Sequence, residues 1–264
     1  RVKVHTIRNY IMAESLEQAW ELNQKGRNNV IIGGNLWLKM GRRNIINAID
    51  LSSLGLDKIE EDEGGFRIGC MATLHDIETH EGLNKEFQNL FKEAVRHIVG
   101  VQFRNCATIG GSIFPKLGFS DVLTAFLACD TQVILYKKGE VPLREFIYIP
   151  TDNDILTHLY VKKDGRKTAY ESFRMTETDF PTITCAMAKT QDGFETVLGA
   201  RPKHAEVVVD EVVADAFSSE EVSDYAKRVI GKLQYGSNIR GSEQYRKQLS
   251  KVLIGRCISR LTEE

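Results

Sequence analysis

Two short segments of this chain each place a pair of glycines directly after a run of strand-forming residues. The first reads VIIGGN over residues 30–35, and the second reads ATIGGS over residues 107–112. Glycine has no Cβ, so the backbone can adopt a positive φ there and a ligand can approach the main chain closely. Exposed amide groups in such a turn form a concave site for an anion. The two segments together therefore predict a diphosphate-binding site, of the kind that a dinucleotide requires.

Each segment also has a purely structural interpretation. Paired glycines often serve a tight turn or the close packing of strands, and one segment alone favours that interpretation. Two segments of the same form favour a shared ligand. Neither has the spaced glycines of the Rossmann fingerprint, so a dinucleotide would bind here through another fold. We expect a β-branched replacement of Gly110 or Gly111 to empty the site and leave the chain folded, because its Cβ would fill the space of the diphosphate.

Composition excludes several classes of protein. Of the 264 residues, 42% are hydrophobic and 27% are charged, which is typical of a globular chain. The 35 basic and 36 acidic residues give a net charge of -1, which argues against a nucleic-acid partner or an anionic membrane. No apolar stretch approaches the ~20 residues of a membrane span, and no signal-peptide pattern is visible. We therefore expect a cytoplasmic protein.

The residue types that commonly catalyse reactions or bind metals form no convincing constellation. The five cysteines are scattered, without the paired spacing of a zinc or iron–sulfur site. The six histidines also lack paired metal-ligand spacing. We therefore predict no catalytic residue and no metal site in this chain. A bound redox cofactor would then carry the chemistry, and the protein would supply position and electrostatics.

Hydrophobic periodicity divides the chain near residue 165 into an N-terminal part (1–165, with subdomains of roughly 1–55 and 56–165) and a C-terminal part (166–264). Strands are predicted in the first part over residues 2–7, 29–32, 45–49, 65–69 and 132–136. Helices are predicted there after the caps Ser15 and Thr73, and over residues 84–98 and 121–128. The second part is predicted to have strands over 167–174, 183–189, 194–198 and 206–209, a hairpin at Asp192-Gly193, and helices over 219–230 and 241–260.

The second glycine segment belongs to a longer pattern that resembles a known family. Residues 102–112 read QFRNCATIGGS, and Ser120-Asp121 follows. Together with IGGN at 32–35 and MATL at 71–74, this pattern resembles the FAD-binding subunit of the xanthine dehydrogenase and carbon monoxide dehydrogenase family. The C-terminal half is similar as well, in Phe173-Arg174 before DFP at 179–181 and in RGSEQYR at 240–246. The resemblance covers nearly the whole chain.

The resemblance implies an α+β fold and an FAD cofactor. A two-part FAD-binding domain, of the vanillyl-alcohol-oxidase or PCMH-like type, would precede a C-terminal domain of antiparallel sheet plus helices. The first glycine segment would wrap the FAD pyrophosphate and the adjoining ribityl chain, with its amides as donors, through Ile31, Ile32, Gly33, Gly34, Asn35, Leu36 and Trp37. A second wall would come from Thr108, Gly110, Gly111 and Ser112.

Four further residues match cofactor-lining positions of the family. Asp121 would lie near the adenosine end, where its carboxylate can accept hydrogen bonds from ribose hydroxyls, and Ile98 would lie near the flavin. Leu156 and Arg174 would complete the lining. Taken alone, Asp121 could equally cap the helix after it, Ile98 and Leu156 could be core residues, and Arg174 could be a solvated or ion-paired surface residue.

The chain departs from the family over residues 114–119, which read FPKLGF. Relatives tend to have small polar residues there, and usually have Asn where Ser112 stands. We expect this departing segment to pass close to the flavin, so that its apolar and basic character changes access to the ring.

The function implied by the resemblance is electron transfer within a molybdenum-containing hydroxylase complex, which makes the chain part of an oxidoreductase. A molybdopterin-binding large subunit would hydroxylate the substrate, and the 2Fe-2S clusters of a small subunit would deliver the electrons. This chain would pass them to NAD or another acceptor, as one subunit of a hetero-oligomer. Two alternatives stay open: a stand-alone FAD-dependent oxidoreductase, and a cofactor-free structural subunit of the same fold.

Overall fold

A computed structural model describes residues 5–212 and 216–262 of the chain. In this part of the chain, the first sheet has three parallel strands in the order β1-β3-β2. They are β1 (Thr6–Met12), β2 (Asn29–Ile32) and β3 (Asn44–Asp50). Helix α1 (Leu16–Gln24) connects β1 to β2, and the Ser15 side chain caps it by accepting a hydrogen bond from the Gln18 amide, as predicted.

Strand β1 lies further along the chain than predicted. The prediction covered residues 2–7, of which 2–4 lie outside the described residues, and the observed strand continues to Met12. β1 is an edge strand and nearly all its side chains are exposed. The alternation of apolar residues therefore does not mark its bounds.

The second sheet of the described chain has five strands in the order β4-β5-β8-β6-β7, with antiparallel neighbours throughout. Its strands are β4 (Ile59–Glu61), β5 (Gly65–Gly69), β6 (Thr131–Leu135), β7 (Gly139–Pro142) and β8 (Leu156–Lys162). The helices of this part are α2 (Leu74–Thr79), α3 (Glu81–Glu86), α4 (Leu90–Val95), α5 (Val101–Arg104), α6 (Ile109–Ile113), α7 (Asp121–Leu127) and α8 (Leu143–Phe146).

The prediction of one long helix over residues 84–98 is wrong. Gln88 and Asn89 have positive φ angles of 46° and 62°, and they separate α3 from α4. The Asn84 side chain donates hydrogen bonds to the carbonyls at residues 77, 78 and 80 and accepts one from the Lys92 amide. This network fixes the break from both sides, and hydrophobic periodicity does not reveal it.

The third sheet has four antiparallel strands in the described residues, in the order β12-β11-β10-β9. They are β9 (Lys167–Arg174), β10 (Pro181–Thr190), β11 (Gly193–Gly199) and β12 (Glu206–Asp210). The hairpin prediction is confirmed, since Thr190 pairs with Gly193, whose φ of 134° suits glycine. Helices α9 (Ser219–Gly231) and α10 (Glu243–Thr262) pack against this sheet.

The largest hydrophobic core lies between the second sheet and its helices. It continues into the third sheet through Tyr170, Ala186 and Val197. The fold is α+β, as predicted, but the division near residue 165 stays a prediction, because this core crosses it. Within residues 5–212 and 216–262, no helix has the length and apolar character of a membrane span.

Candidate cofactor-binding site

Two cavities meet where residues of the three sheets come together. Their volumes are about 540 Å³ and 340 Å³, and we call them the larger and the smaller cavity. All of the predicted cofactor residues line one or both. The larger cavity is lined by Ile31, Ile32, Gly33, Gly34, Asn35, Leu36, Trp37, Thr108, Gly110, Gly111, Ser112 and Leu156. The smaller cavity is lined by Trp37, Ile98, Ser112, Asp121 and Arg174.

The first glycine segment leaves strand β2 and passes close to the second. A Cβ on Gly33 would lie 2.2 Å from Thr108 Oγ1, and a Cβ on Gly34 would lie 1.7 Å from the carbonyl oxygen of Cys106. Only glycine permits this approach. Neither glycine has a positive φ, so close packing of the backbone, and not a left-handed turn, explains both residues.

The amides of the first glycine segment are available to a ligand. Within the described chain, the N–H groups of residues 33–36 donate no hydrogen bond. Asn35 has a left-handed conformation, with a φ of 56°, and its buried Oδ1 atom has no partner there either. Buried polar groups are rarely left unpaired in proteins. The Asn35 Oδ1 atom therefore marks a place for a ligand that donates a hydrogen bond, and the free amides beside it are donors that the same ligand can use.

The second glycine segment is not the end of a strand, as its sequence suggested. It forms the short helix α6, and Thr108 caps this helix by accepting a hydrogen bond from the Gly111 amide at 3.2 Å. The amides of residues 109, 110 and 112 donate to backbone carbonyls. Every amide from 109 to 112 is therefore used inside the protein, and the expectation that both segments offer amides to a diphosphate is wrong for the second one.

The glycines of the second segment face protein atoms. A Cβ on Gly110 would lie 2.9 Å from both the Cβ and the carbonyl oxygen of Cys70, and a Cβ on Gly111 would lie 3.1 Å from Thr108 Oγ1. The expected reason for a failure of substitutions at Gly110, a collision with the diphosphate, is therefore wrong: a side chain there collides with Cys70. Burial raises the pKa of the Cys70 thiol to about 12, so this packing partner is uncharged.

A polar turn at residues 151–155 lines a part of the larger cavity that the smaller one does not share. The Asp154 carboxylate accepts hydrogen bonds from the amides of Lys137 and Lys138, both at 3.1 Å. The Asn23 side chain donates to the Asn153 carbonyl at 2.8 Å. The sequence TDND at 151–154 is a turn signal, but nothing in it indicates that this turn belongs to a site.

The smaller cavity has an aromatic wall of four rings, all of which line it. The Trp37 ring lies edge-on to Phe103 and Phe119, with centroids 5.8 Å and 5.5 Å away. The centroid of the Phe180 ring lies 5.3 Å from that of Trp37 and 4.4 Å from that of Phe119. Phe103 and Phe180 are not among the predicted site residues, because the local sequence pattern does not distinguish them from core residues.

The departing segment reaches both cavities with its apolar side chains only. Phe114 and Pro115 line the larger cavity, Phe119 lines the smaller one, and Leu117 lines both. Lys116 lines neither, since its Nζ donates to the Ile149 carbonyl and lies 4.0 Å from the centroid of a phenylalanine ring. The charged Lys116 side chain is thus directed away from the cleft that the two cavities form together.

A buried ion pair lines the smaller cavity. Arg174 Nη2 lies 2.7 Å from Asp121 Oδ1, and this oxygen also accepts a hydrogen bond from the Tyr170 hydroxyl at 2.5 Å. Burial raises the pKa of Asp121, and the Arg174 guanidinium opposes that rise. Burial also disfavours the charged form of Arg174, but the ion pair with Asp121 outweighs it and raises the pKa of Arg174. Arg174 is therefore a permanent cation in the cavity wall.

Two of the simpler alternatives for these residues are wrong. Helix α7 is capped by Ser120, which accepts a hydrogen bond from the Leu123 amide, and not by Asp121. The Arg174 side chain is only 6% exposed, so it is not a surface residue. Asp121 and Ile98 line the same cavity, the smaller one. Leu156 is both a core residue and a lining residue.

These features define a class of protein. Two adjoining cavities, unpaired amides where two backbone segments approach closely, and aromatic rings in one of the cavities are what a dinucleotide with a planar ring system requires. Residues 4–161 match the family described as the FAD-binding domain in molybdopterin dehydrogenase. The chain belongs to this family, and FAD is its cofactor.

Named relatives are similar to this chain along nearly their whole length. The glyceraldehyde dehydrogenase medium chain of Sulfolobus acidocaldarius is 27% identical, over 92% of this chain and 94% of that protein. Subunit alpha of the 6-hydroxypseudooxynicotine dehydrogenase complex of Paenarthrobacter nicotinovorans is 24% identical, over 95% of this chain and 93% of that protein. A solved carbon monoxide dehydrogenase from Hydrogenophaga pseudoflava has the same fold, with a TM-score of 0.87 at 21% identity over 97% of both chains. The predicted family, fold class and cofactor are confirmed.

Proposed function

We propose that this chain is the FAD-binding medium subunit of a molybdenum-containing hydroxylase complex, in which it passes electrons to NAD or another acceptor. The observation that carries this proposal is the row of unpaired amides at residues 33–36, in a chain whose family binds FAD. The names of the relatives add support, since one is a dehydrogenase medium chain and another is a subunit of a dehydrogenase complex.

The chemistry of the cleft suits FAD. The unpaired amides of residues 33–36 would donate to the pyrophosphate, and the unpaired Asn35 Oδ1 would accept a hydrogen bond from a ribityl hydroxyl. Thr108, Ser112 and the two glycines of the second segment would form the opposite wall by shape, without contributing amides. Both groups of residues line the larger cavity.

We assign the two ends of FAD to different parts of the cleft. The aromatic wall and Ile98 make the smaller cavity suitable for the planar isoalloxazine ring. The polar turn at 151–155 and Leu156 make the other end suitable for adenosine, with its hydroxyl and amino groups. This assignment places Asp121 and Arg174 at the flavin end, whereas the resemblance implied adenosine for Asp121.

Bound FAD supplies the chemistry that joins one-electron transfer to two-electron transfer. The chain's own residues bind the cofactor, orient the ring through the aromatic wall, and exclude water with the apolar side chains of residues 114–119. Hydroxylation of the substrate would take place on a molybdopterin-binding large subunit, and electrons would come from a 2Fe-2S small subunit, so the complex would be a hetero-oligomer. All five cysteines lie in the described residues as free thiols, without a disulfide bond, which suits the reducing cytoplasm.

Purification of the full chain, alone and co-expressed with the candidate partner chains, tests this proposal. We expect yellow protein with stoichiometric FAD that co-purifies with a molybdopterin-binding and a 2Fe-2S subunit. Colourless protein that takes up no FAD on titration would support the cofactor-free alternative. Yellow protein that oxidises a substrate on its own, without the partner chains, would support the stand-alone oxidoreductase.

A further inference from the structure

Arg174 lines the smaller cavity, and one nitrogen of its guanidinium group has no hydrogen-bond partner among the described residues. Its Nη1 donates to Ser172 Oγ at 2.9 Å, and its Nη2 pairs with Asp121. The Nε atom is buried and has no partner among the described residues. Leaving a buried N–H group of a charged side chain without a hydrogen bond costs free energy. The free Nε–H therefore points to a ligand atom that accepts a hydrogen bond.

Arg174 is held firmly in this position. Asp121 is 4% exposed and accepts hydrogen bonds from both Arg174 and Tyr170. Asp121 begins helix α7, and Arg174 ends strand β9, so two different elements fix the guanidinium. Its surroundings in the cavity are mainly apolar, with Ile98, Phe119 and Phe180. A fixed cation in such surroundings interacts more strongly with a neighbouring negative charge than it would in water.

Reduction of a flavin creates a negative charge of the kind that this cation can stabilise. Two electrons and one proton convert the neutral oxidised ring into an anion, whose charge lies mainly at N1 and the C2 carbonyl oxygen. Under the proposed function the electrons come from the partner's 2Fe-2S clusters and the proton comes from solvent. Charge close to this edge of the ring is a known means by which a protein tunes a flavin.

We propose that Arg174, positioned by Asp121 and Tyr170, donates its Nε–H to the pyrimidine edge of the flavin and stabilises the reduced cofactor over the oxidised one. This inference rests on the proposed function, because it requires FAD in the cleft with its ring in the smaller cavity. Arg174 is the member of this group that would touch the cofactor. Asp121 and Tyr170 are positioning residues.

The test compares R174Q and R174K with the control R228Q in the full chain loaded with FAD. Arg228 also pairs with a carboxylate, since its Nε lies 3.2 Å from Asp210 Oδ2, and it lines neither cavity. The flavin midpoint potential, measured by equilibration with reference dyes, reports the ratio of affinities for reduced and oxidised FAD, and an FAD titration reports the affinity for the oxidised form.

For R174Q we expect the preference for reduced over oxidised FAD to fall about tenfold or more, which lowers the midpoint potential by about 30 mV for a two-electron couple. R174K keeps the charge but lacks the fork of donors, and we expect its preference for reduced over oxidised FAD to fall about threefold. R228Q should stay within about a factor of two of wild type.

The outcomes separate the two proposals. Wild-type protein that binds no FAD overturns the proposed function. Wild-type and R174Q protein that bind FAD with the same midpoint potential overturn the role of Arg174 and leave the proposed function standing. If R174Q does not fold, R174K decides, and a potential equal to that of wild type then counts against the inference. An equal fall in R228Q would also overturn it, because the effect would then be one of general charge.

Discussion

The first and second glycine segments lie against each other in the wall of the cleft, yet their amide groups are in opposite states. In the first segment, the amides of residues 33–36 have no partner within the described chain. In the second, every amide from 109 to 112 donates to a protein atom, three to backbone carbonyls and one to Thr108 Oγ1. The amides of the first segment are therefore free for a ligand, whereas those of the second are already used within the protein.

Both segments need glycine for the same reason, which is close packing against protein atoms. Gly34 lets the first segment lie on the Cys106 carbonyl, and Gly110 lets helix α6 lie on Cys70. A glycine pair therefore reports that something approaches the backbone closely, without saying whether it is a ligand or the protein itself. Only the hydrogen bonds of the neighbouring amides distinguish the two cases. The following substitutions test this division of roles.

The largest effect is expected at Gly34. Gly34→Ala places a Cβ 1.7 Å from a carbonyl oxygen, so the first segment must move and its amides lose their alignment. Loss of two hydrogen bonds to a charged group, at about 1.5 kcal/mol each, weakens FAD binding roughly a hundredfold. Titration of cofactor-free protein with FAD measures this. Gly26→Ala, whose Cβ would meet open space, is the control, and wild-type affinity in G34A would contradict the role of the first segment.

A smaller effect is expected at Asn35. Asn35→Asp keeps the size of the side chain and its tolerance of the left-handed backbone, but places a negative charge beside the pyrophosphate. Repulsion of about 1–3 kcal/mol in a partly buried site weakens FAD binding roughly fivefold to a hundredfold.

The salt dependence of FAD binding checks the cause of this effect. The loss in N35D should shrink as the ionic strength rises, because salt screens charge repulsion. Asn35→Gly, which keeps the backbone conformation without the charge, should show no such dependence. A salt-independent loss in N35D would mean that residue 35 lies away from the diphosphate.

The smallest effect on FAD binding is expected at Gly110. Gly110→Ala places a Cβ 2.9 Å from Cys70 atoms, and overpacking of this kind lowers the free energy of unfolding by about 1–3 kcal/mol. The folded protein should still bind FAD within about threefold of wild type, because no amide that meets the ligand has changed. Urea unfolding and FAD titration measure the two quantities. An empty site in a protein of unchanged stability would restore the second segment as a ligand-binding loop.

The parts of the fold that could be predicted have clear local signals. The bounds of β2, β5 and β9 agree with their predictions because each strand is a short, partly buried run that ends at a glycine or before a turn. The prediction of one long helix over 84–98 is wrong because the hydrogen bonds of the Asn84 side chain override hydrophobic periodicity. Such a network depends on residues brought together by folding, and sequence spacing does not contain it.

The members of the site were predictable and their roles were not. The family pattern selected lining residues from segments far apart in the chain, and all of them meet in the two cavities. The pattern could not show that the Gly110 amide is already used, or that Asp121 shares a cavity with Ile98. Phe103 and Phe180 were missed because an aromatic residue in a cavity wall has the same sequence signature as one in a core.

Amide hydrogen exchange with and without FAD shows which glycine segment binds the diphosphate. We expect FAD to slow exchange strongly at residues 33–36. Little change is expected at 109–112, where the amides are already bonded to the protein. Bound FAD with unchanged exchange at 33–36, or with new protection confined to 109–112, would show that the first segment does not bind the diphosphate.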